Sequence, residues 1–255
     1  MGMLKYCLGI ALALACMAGT QAEAEPRIAL VIGNAHYSGD LLPPLKNPIN
    51  DAKLMTETLT KAGFQVLMVA DADQKQMKRA IAAFADLVVA AGLDTTAAFY
   101  YAGHGVQVGS TGYMIPVGAD IAREIDIELE AVRVADITAQ LAFAGNKVSI
   151  LMLDIGRNNG LTRGMRSANP GLPELHNLYG GMFVSYAVTP GTGAADGQGQ
   201  NSPYAAATSK AILTPGLNIH EVFERVRAEV FAATNGQTTV DTSTLNAPFY
   251  FLPEN

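Results

Sequence analysis

Residues 95–105 read TTAAFYYAGHG. Apolar and aromatic residues run without a charge from Ala97 to Ala102 and stop at Gly103-His104-Gly105. An unbroken, uncharged run of this length predicts a strand buried on both faces, as a parallel sheet covered by helices requires. In such sheets ligands bind just beyond the carboxyl ends of the strands. His104 falls at that edge, between two glycines and with no bulky neighbour in sequence to shield it. A turn that merely contains a histidine is the plainer alternative, and the rest of the chain weighs against it.

Working outward, the stretches Arg27–Asn34 (RIALVIGN), Phe64–Val69, Lys147–Leu153 (KVSILML), Gly181–Ala187 and Ala247–Leu252 read as further strands. Helical spacing of apolar residues fills the gaps. One helix is expected after Asn50 as N-cap, with Ala52, Met55, Leu59 and Ala62 inward and Gly63 as its stop. The prolines 43, 44 and 48 before it predict an irregular loop. Asp73 caps a second helix with Met77, Ile81, Phe84 and Val88 inward, and Val134, Ile137 and Leu141 mark a third that ends near Gly145. Ser202-Pro203 is a favoured helix start, and Asn218 to Glu221 forms a capping box for the last helix. Gly109 to Gly112 predicts a hairpin turn, residues 122–133 a charged connector, and residues 157–180 and 190–201 two long loops. No repeat or linker divides the chain, so one α/β domain around a mostly parallel sheet is expected.

The 255 residues are 49% hydrophobic and 16% charged, with net charge −6. Neither nucleic acid nor an anionic membrane surface would be attracted to such a chain. Lys5, the apolar stretch Leu8–Ala18 and Ala22-Glu23-Ala24 have the layout of a secretory signal, with cleavage expected after Ala24 and a secreted or periplasmic product, residues 25–255. The apolar stretch is too short to span a membrane, and Ala13-Leu14-Ala15 before Cys16 match a lipoprotein signal poorly. The only cysteines, Cys7 and Cys16, lie within that segment. The processed chain would carry no thiol, hence no disulfide, thiolate metal site or cysteine nucleophile.

The order ALVIGN, NPINDA, YYAGHG, LMLDIGRNN, SYAVTPGT resembles the caspase-like cysteine peptidases, specifically the bacterial relatives of metacaspases and paracaspases. The resemblance implies a three-layer α/β/α sandwich around a mostly parallel sheet of about six strands. It also implies a catalytic dyad: the histidine of Gly-His-Gly, matched by His104, and a cysteine ending the next long strand. That cysteine is the third residue of a pattern resembling Asp-Ala/Ser-Cys, which here reads Asp154-Ile155-Gly156. A thiolate is the attacking group in this chemistry, and Gly156 has no side chain to supply one. Ser149, seven residues back, lies about 20 Å away along an extended strand.

Metacaspase-like enzymes prefer Arg or Lys before the cleaved bond through acidic residues that resemble Asp51 and Asp154. Two such carboxylates would favour a guanidinium most strongly as a bidentate pair, although Asp51 near a helix N-terminus is also favourable for the dipole alone. Gly105 is expected beside the substrate as an oxyanion-type donor. Other candidates are bland. Gly191-Thr192-Gly193 stands too far from a helix for a phosphate cradle. His36, His176 and His220 have no metal-site spacing, and Asp71 and Asp73 echo the calcium dependence of some metacaspases without forming a calcium loop. No cofactor and no metal are expected.

The expected function is therefore that of an inactive peptidase relative which binds a protein or peptide with exposed Arg or Lys. The alternatives are residual hydrolysis through His104 with another nucleophile, or a structural module that forms a homodimer along an exposed sheet edge.

Overall fold

The computed structural model describes residues 25–155, 161, 168–175, 178–189, 194, 197 and 199–254. In chain order the elements are β1 (Arg27–Gly33), α1 (Pro48–Lys61), β2 (Gln65–Ala70), α2 (Gln74–Ala91), β3 (Thr96–Gly103), β4 (Gly105–Val108), β5 (Thr111–Met114) and α3 (Glu124–Glu130). There follow β6 (Val132–Arg133), α4 (Val134–Ala144), β7 (Val148–Ile155), β8 (Ala168–Pro170), β9 (Met182–Tyr186), α5 (Pro203–Ile212), α6 (Ile219–Thr234) and β10 (Val240–Ser243).

The central sheet runs β10-β9-β7-β3-β1-β2 and is parallel except where β10 meets β9. Successive residues of a strand face opposite sides. In β3, Ala98, Tyr100 and Ala102 therefore enter the core under α1, α5 and α6. Ala97, Phe99 and Tyr101 enter the core under α2 and α4. Both faces are covered, which explains why the sequence of β3 does not alternate. The architecture is the expected α/β/α sandwich. A second, antiparallel sheet, β6-β5-β4-β8, sits beyond the end of β3. Together with Tyr37 and Leu42 from the loop after β1 it closes a third cluster.

The chain moves from β1 outward to β2, then returns to lay β3 on the other side of β1. The crevice between the carboxyl ends of β1 and β3 is where such sheets hold ligands, and it fixes where the site must be. Gly33 ends β1 there. A Cβ on it would lie 2.4 Å from the carbonyl oxygen of Pro48 and 2.7 Å from Cβ of Ala52. Only glycine lets the first turn of α1 approach the strand this closely.

Four expectations are corrected. Helix α1 begins at Pro48, not after Asn50. Proline's fixed φ and missing N–H suit the first helical position, so Pro48 starts the helix instead of preventing it. Within the expected connector, residues 124–130 form α3, which leaves Ile125 and Leu129 exposed and buries Ile127; seven residues without an apolar face carry no periodic signal. Residues 168–170, assigned to a loop, form β8 and pair with β4. The sixth strand of the main sheet is β10, whereas residues 247–252 make only an isolated bridge, Asn218 to Tyr250. Phe249 and Phe251 are buried as a strand's would be, but they pack over the core without a ladder.

The signal-like segment, residues 1–24, lies outside the described residues, as do Gly156, His176 and Gly191-Thr192-Gly193. Among the described residues no helix is long and apolar enough to cross a membrane.

Candidate active site

His104 follows β3 at the carboxyl edge of the sheet and is fully buried, 0% exposed. The expectation of an unshielded histidine is thus corrected: shielding comes from the loop after β1, which is remote in sequence. The ring of Tyr37 lies 4.5 Å from the imidazole, centroid to centroid. The Tyr37 hydroxyl accepts the His104 amide at 3.1 Å and donates to the carbonyl of Ile115 at 2.9 Å. Nε2 of His104 lies 2.8 Å from the carbonyl oxygen of Pro43. A carbonyl only accepts, so Nε2 donates its proton to Pro43, and in a neutral ring the lone pair would be on Nδ1.

Strand β7 lies beside β3 in register, Ala102 opposite Asp154 and Gly103 opposite Ile155. Alternation sends Ile155 into the α2 and α4 core and Asp154 to the side of α1 and α5. Asp154 is 1% exposed and Asp51, in the first turn of α1, is 0% exposed. Oδ1 of Asp51 accepts the amide of Ser202 at 2.8 Å and the side-chain amide of Asn201 at 3.0 Å. Oδ2 of Asp154 accepts the hydroxyl of Ser202 at 2.5 Å and that of Tyr100 at 3.1 Å. The two carboxylates, one on a helix and one on a strand, thus converge on one serine at the start of α5.

Gly105 opens β4 on the far side of His104 and packs against Ile155: a Cβ at position 105 would come within 2.2 Å of Cγ2 of that residue. Gly156, expected from the resemblance at the cysteine position, lies outside the described residues. Ser149 is at the opposite end of the same strand, bonded to Asn146 at 3.0 Å, so it is not a neighbour of His104.

A profile of the caspase domain matches residues 26–250. The chain belongs to the caspase-domain family. A stretch of 99 residues, 39% of this caspase-domain chain, is 33% identical to the mucosa-associated lymphoid tissue lymphoma translocation protein 1 of Homo sapiens. The Mus musculus homolog matches over the same length at the same identity. The match spans 11% of each of those proteins.

Sequence reasoning singled out His104, Asp51, Asp154 and Gly105, but it missed Tyr37, Pro43, Tyr100 and Asn201, and it took Ser202 only as a cap. No periodicity marks a loop residue that reaches a site through tertiary packing. The remaining candidates have local tasks. Asp73 caps α2 in a capping box with Gln76. Asp71 accepts the amides of Ala35 and His36 at 2.8 and 2.9 Å and faces Nδ1 of His36 at 2.5 Å. His220 is exposed and stands edge-on to Phe183. Among the described residues no group of three or more His, Cys, Asp or Glu is placed to hold a metal ion.

Proposed function

We propose that this caspase-domain protein binds a basic segment of a partner protein and does not cleave it, acting outside the cytoplasm after export through residues 1–24. The observation that carries the proposal is the buried carboxylate pair, Asp51 and Asp154; the reading of Asp154-Ile155-Gly156 as the family's Asp-Ala/Ser-Cys pattern without its cysteine supports it. Two anions removed from water at one sheet edge favour a cation, and a guanidinium matches two carboxylates best. Without a thiolate to add to the peptide carbonyl, the tetrahedral intermediate does not form by this route. In a serine protease, removal of the nucleophile costs roughly a millionfold in turnover, about 8 kcal/mol of barrier.

The bond from Nε2 to Pro43, which in a neutral ring puts the lone pair on Nδ1, favours a second reading, in which His104 activates another nucleophile or a water for slow hydrolysis. Arginine reporter peptides separate the two. The first expects saturable binding that is lost in Asp154→Asn, with no His104-dependent turnover. Turnover abolished by His104→Ala would overturn it in favour of the second. The variant Ile155→Ala/Gly156→Cys supplies the nucleophile and clears space beside Gly105. It is expected to cleave after Arg, and a folded but silent variant would show that the basic pocket no longer presents the bond to position 156.

A further inference from the structure

One residue touches both carboxylates of the site. The Ser202 amide donates to Asp51 and its hydroxyl donates to Asp154, while the same hydroxyl oxygen accepts the Ala205 amide at 2.9 Å as the N-cap of α5. A hydroxyl has a single proton. With Ala205 on a lone pair, that proton is committed to Asp154 and the rotor has no second choice. Asp51 and Asp154 sit on elements that share no ladder, and Ser202 links the two carboxylates directly by hydrogen bonds. Each carboxylate is also held on the same oxygen by a further donor, Asn201 on Asp51 and Tyr100 on Asp154. Two bonds to one oxygen stop a carboxylate plane from swinging.

We propose that Ser202 is a positioning residue that sets a preference of this site for arginine over lysine. The inference rests on the reading of Asp51 and Asp154 as a basic-side-chain site. A guanidinium presents its donors in a rigid planar fork, so its binding depends on carboxylate planes that are already fixed. An ammonium is a compact charge with rotatable donors and gains far less from that fixation. Ser202 thus adds little to the attraction of a positive charge and much to discrimination between its two carriers.

The test is calorimetric titration of the full chain and its Ser202→Gly and Ser202→Thr variants with two blocked peptides that differ only in Arg against Lys. Glycine removes the hydroxyl yet costs the helix cap only a few tenths of a kcal/mol, so folding is retained. In Ser202→Gly the affinity for the Arg peptide is expected to fall about tenfold and that for the Lys peptide less than about threefold, fold-changes typical of one lost charge-assisted hydrogen bond. Ser202→Thr keeps the hydroxyl and is expected to restore the ratio. Parallel losses for both peptides, or an unchanged ratio with only a lower melting temperature, would reduce Ser202 to a helix cap and overturn the inference. Failure of the unmodified chain to bind either peptide would instead overturn the basic-site reading, and the inference with it.

Discussion

Ile155 stands where the pattern this chain resembles has a small residue. Where a small side chain would leave room, the branched one is buried in the α2 and α4 core and reaches back to the backbone of Gly105. The two positions are therefore coupled. Gly105→Ala forces a methyl to within 2.2 Å of Cγ2 of Ile155 and 3.1 Å of the Tyr113 carbonyl. Overpacking of this kind costs about 1–3 kcal/mol. Ile155→Ala by itself creates a cavity, at about 2–5 kcal/mol. The double variant is expected to be more stable than the sum of the two losses by about 1 kcal/mol, because alanine at 155 vacates the space the new methyl needs. Denaturant unfolding of all four proteins measures this, and strict additivity would show that Gly105 is not held by Ile155.

A loop completes the site that strand and helix ends begin, and its hold on the site can be tested. Asp71, at the end of β2, holds the loop that carries Tyr37 and Pro43 to His104. Burial pushes the Asp71 carboxyl up, but the amides of Ala35 and His36 and the His36 ring outweigh it and hold the group below its ordinary value of 3.8. A carboxyl depressed in the folded state stabilises at pH above its unfolded value, and that contribution is lost as pH falls through the folded one. The melting-temperature gap between the unmodified chain and Asp71→Asn is therefore expected to be widest above about pH 5 and to narrow as pH falls below the ordinary carboxyl value of 3.8. A gap that persists at the acid end would mean that the carboxylate charge contributes nothing to holding the loop.

The same contrast between strands and loops explains what the sequence made legible. Runs such as Ala97–Ala102 and Ile150–Leu153 are buried on both faces and announce themselves. Asp73, Ser202 and Asn218 cap helices by short-range bonds that a sequence displays directly. Strand β10 was hidden because Val-Asp-Thr-Ser is an edge strand whose four residues are all half-buried, so no apolar run marks it. Phe249 and Phe251 misled for the opposite reason: two buried aromatics spaced by one residue look like a strand whatever covers them. At the site, His104 stood out at the end of a buried run, whereas Asp51 and Asp154 were picked out by the family resemblance. Tyr37 and Pro43 act across 67 and 61 residues of chain, a distance over which only the folded topology carries information.

Across the whole molecule the two ends of the sheet have separate tasks, and Arg27 secures the one remote from chemistry. At the start of β1 its Nη1 donates to the carbonyls of Ala62 at 2.8 Å and Phe251 at 2.6 Å, and Nη2 to that of Tyr250 at 3.0 Å. The guanidinium lies 5.6 Å from the Phe64 ring and 5.3 Å from that of Phe249. One side chain thus joins the first strand, the end of α1 and the C-terminal segment. That segment in turn accepts the Ile219 amide on Phe249 and the Gly216 amide on Leu252. An ammonium cannot reproduce the fork or the stacking. Arg27→Lys is expected to cost about 2–3 kcal/mol, the scale of hydrogen bonds to a charged group, and to speed amide exchange at Gly216 and Ile219. His104 lies the length of β3 away, about 25 Å. If the ends are independent, Arg-peptide affinity in Arg27→Lys stays within about twofold of the unmodified chain, as distant sites that share no partner do. A larger loss of binding, at a temperature where the variant is folded, would show instead that the C-terminal segment supports the carboxylate site through α5 and α6.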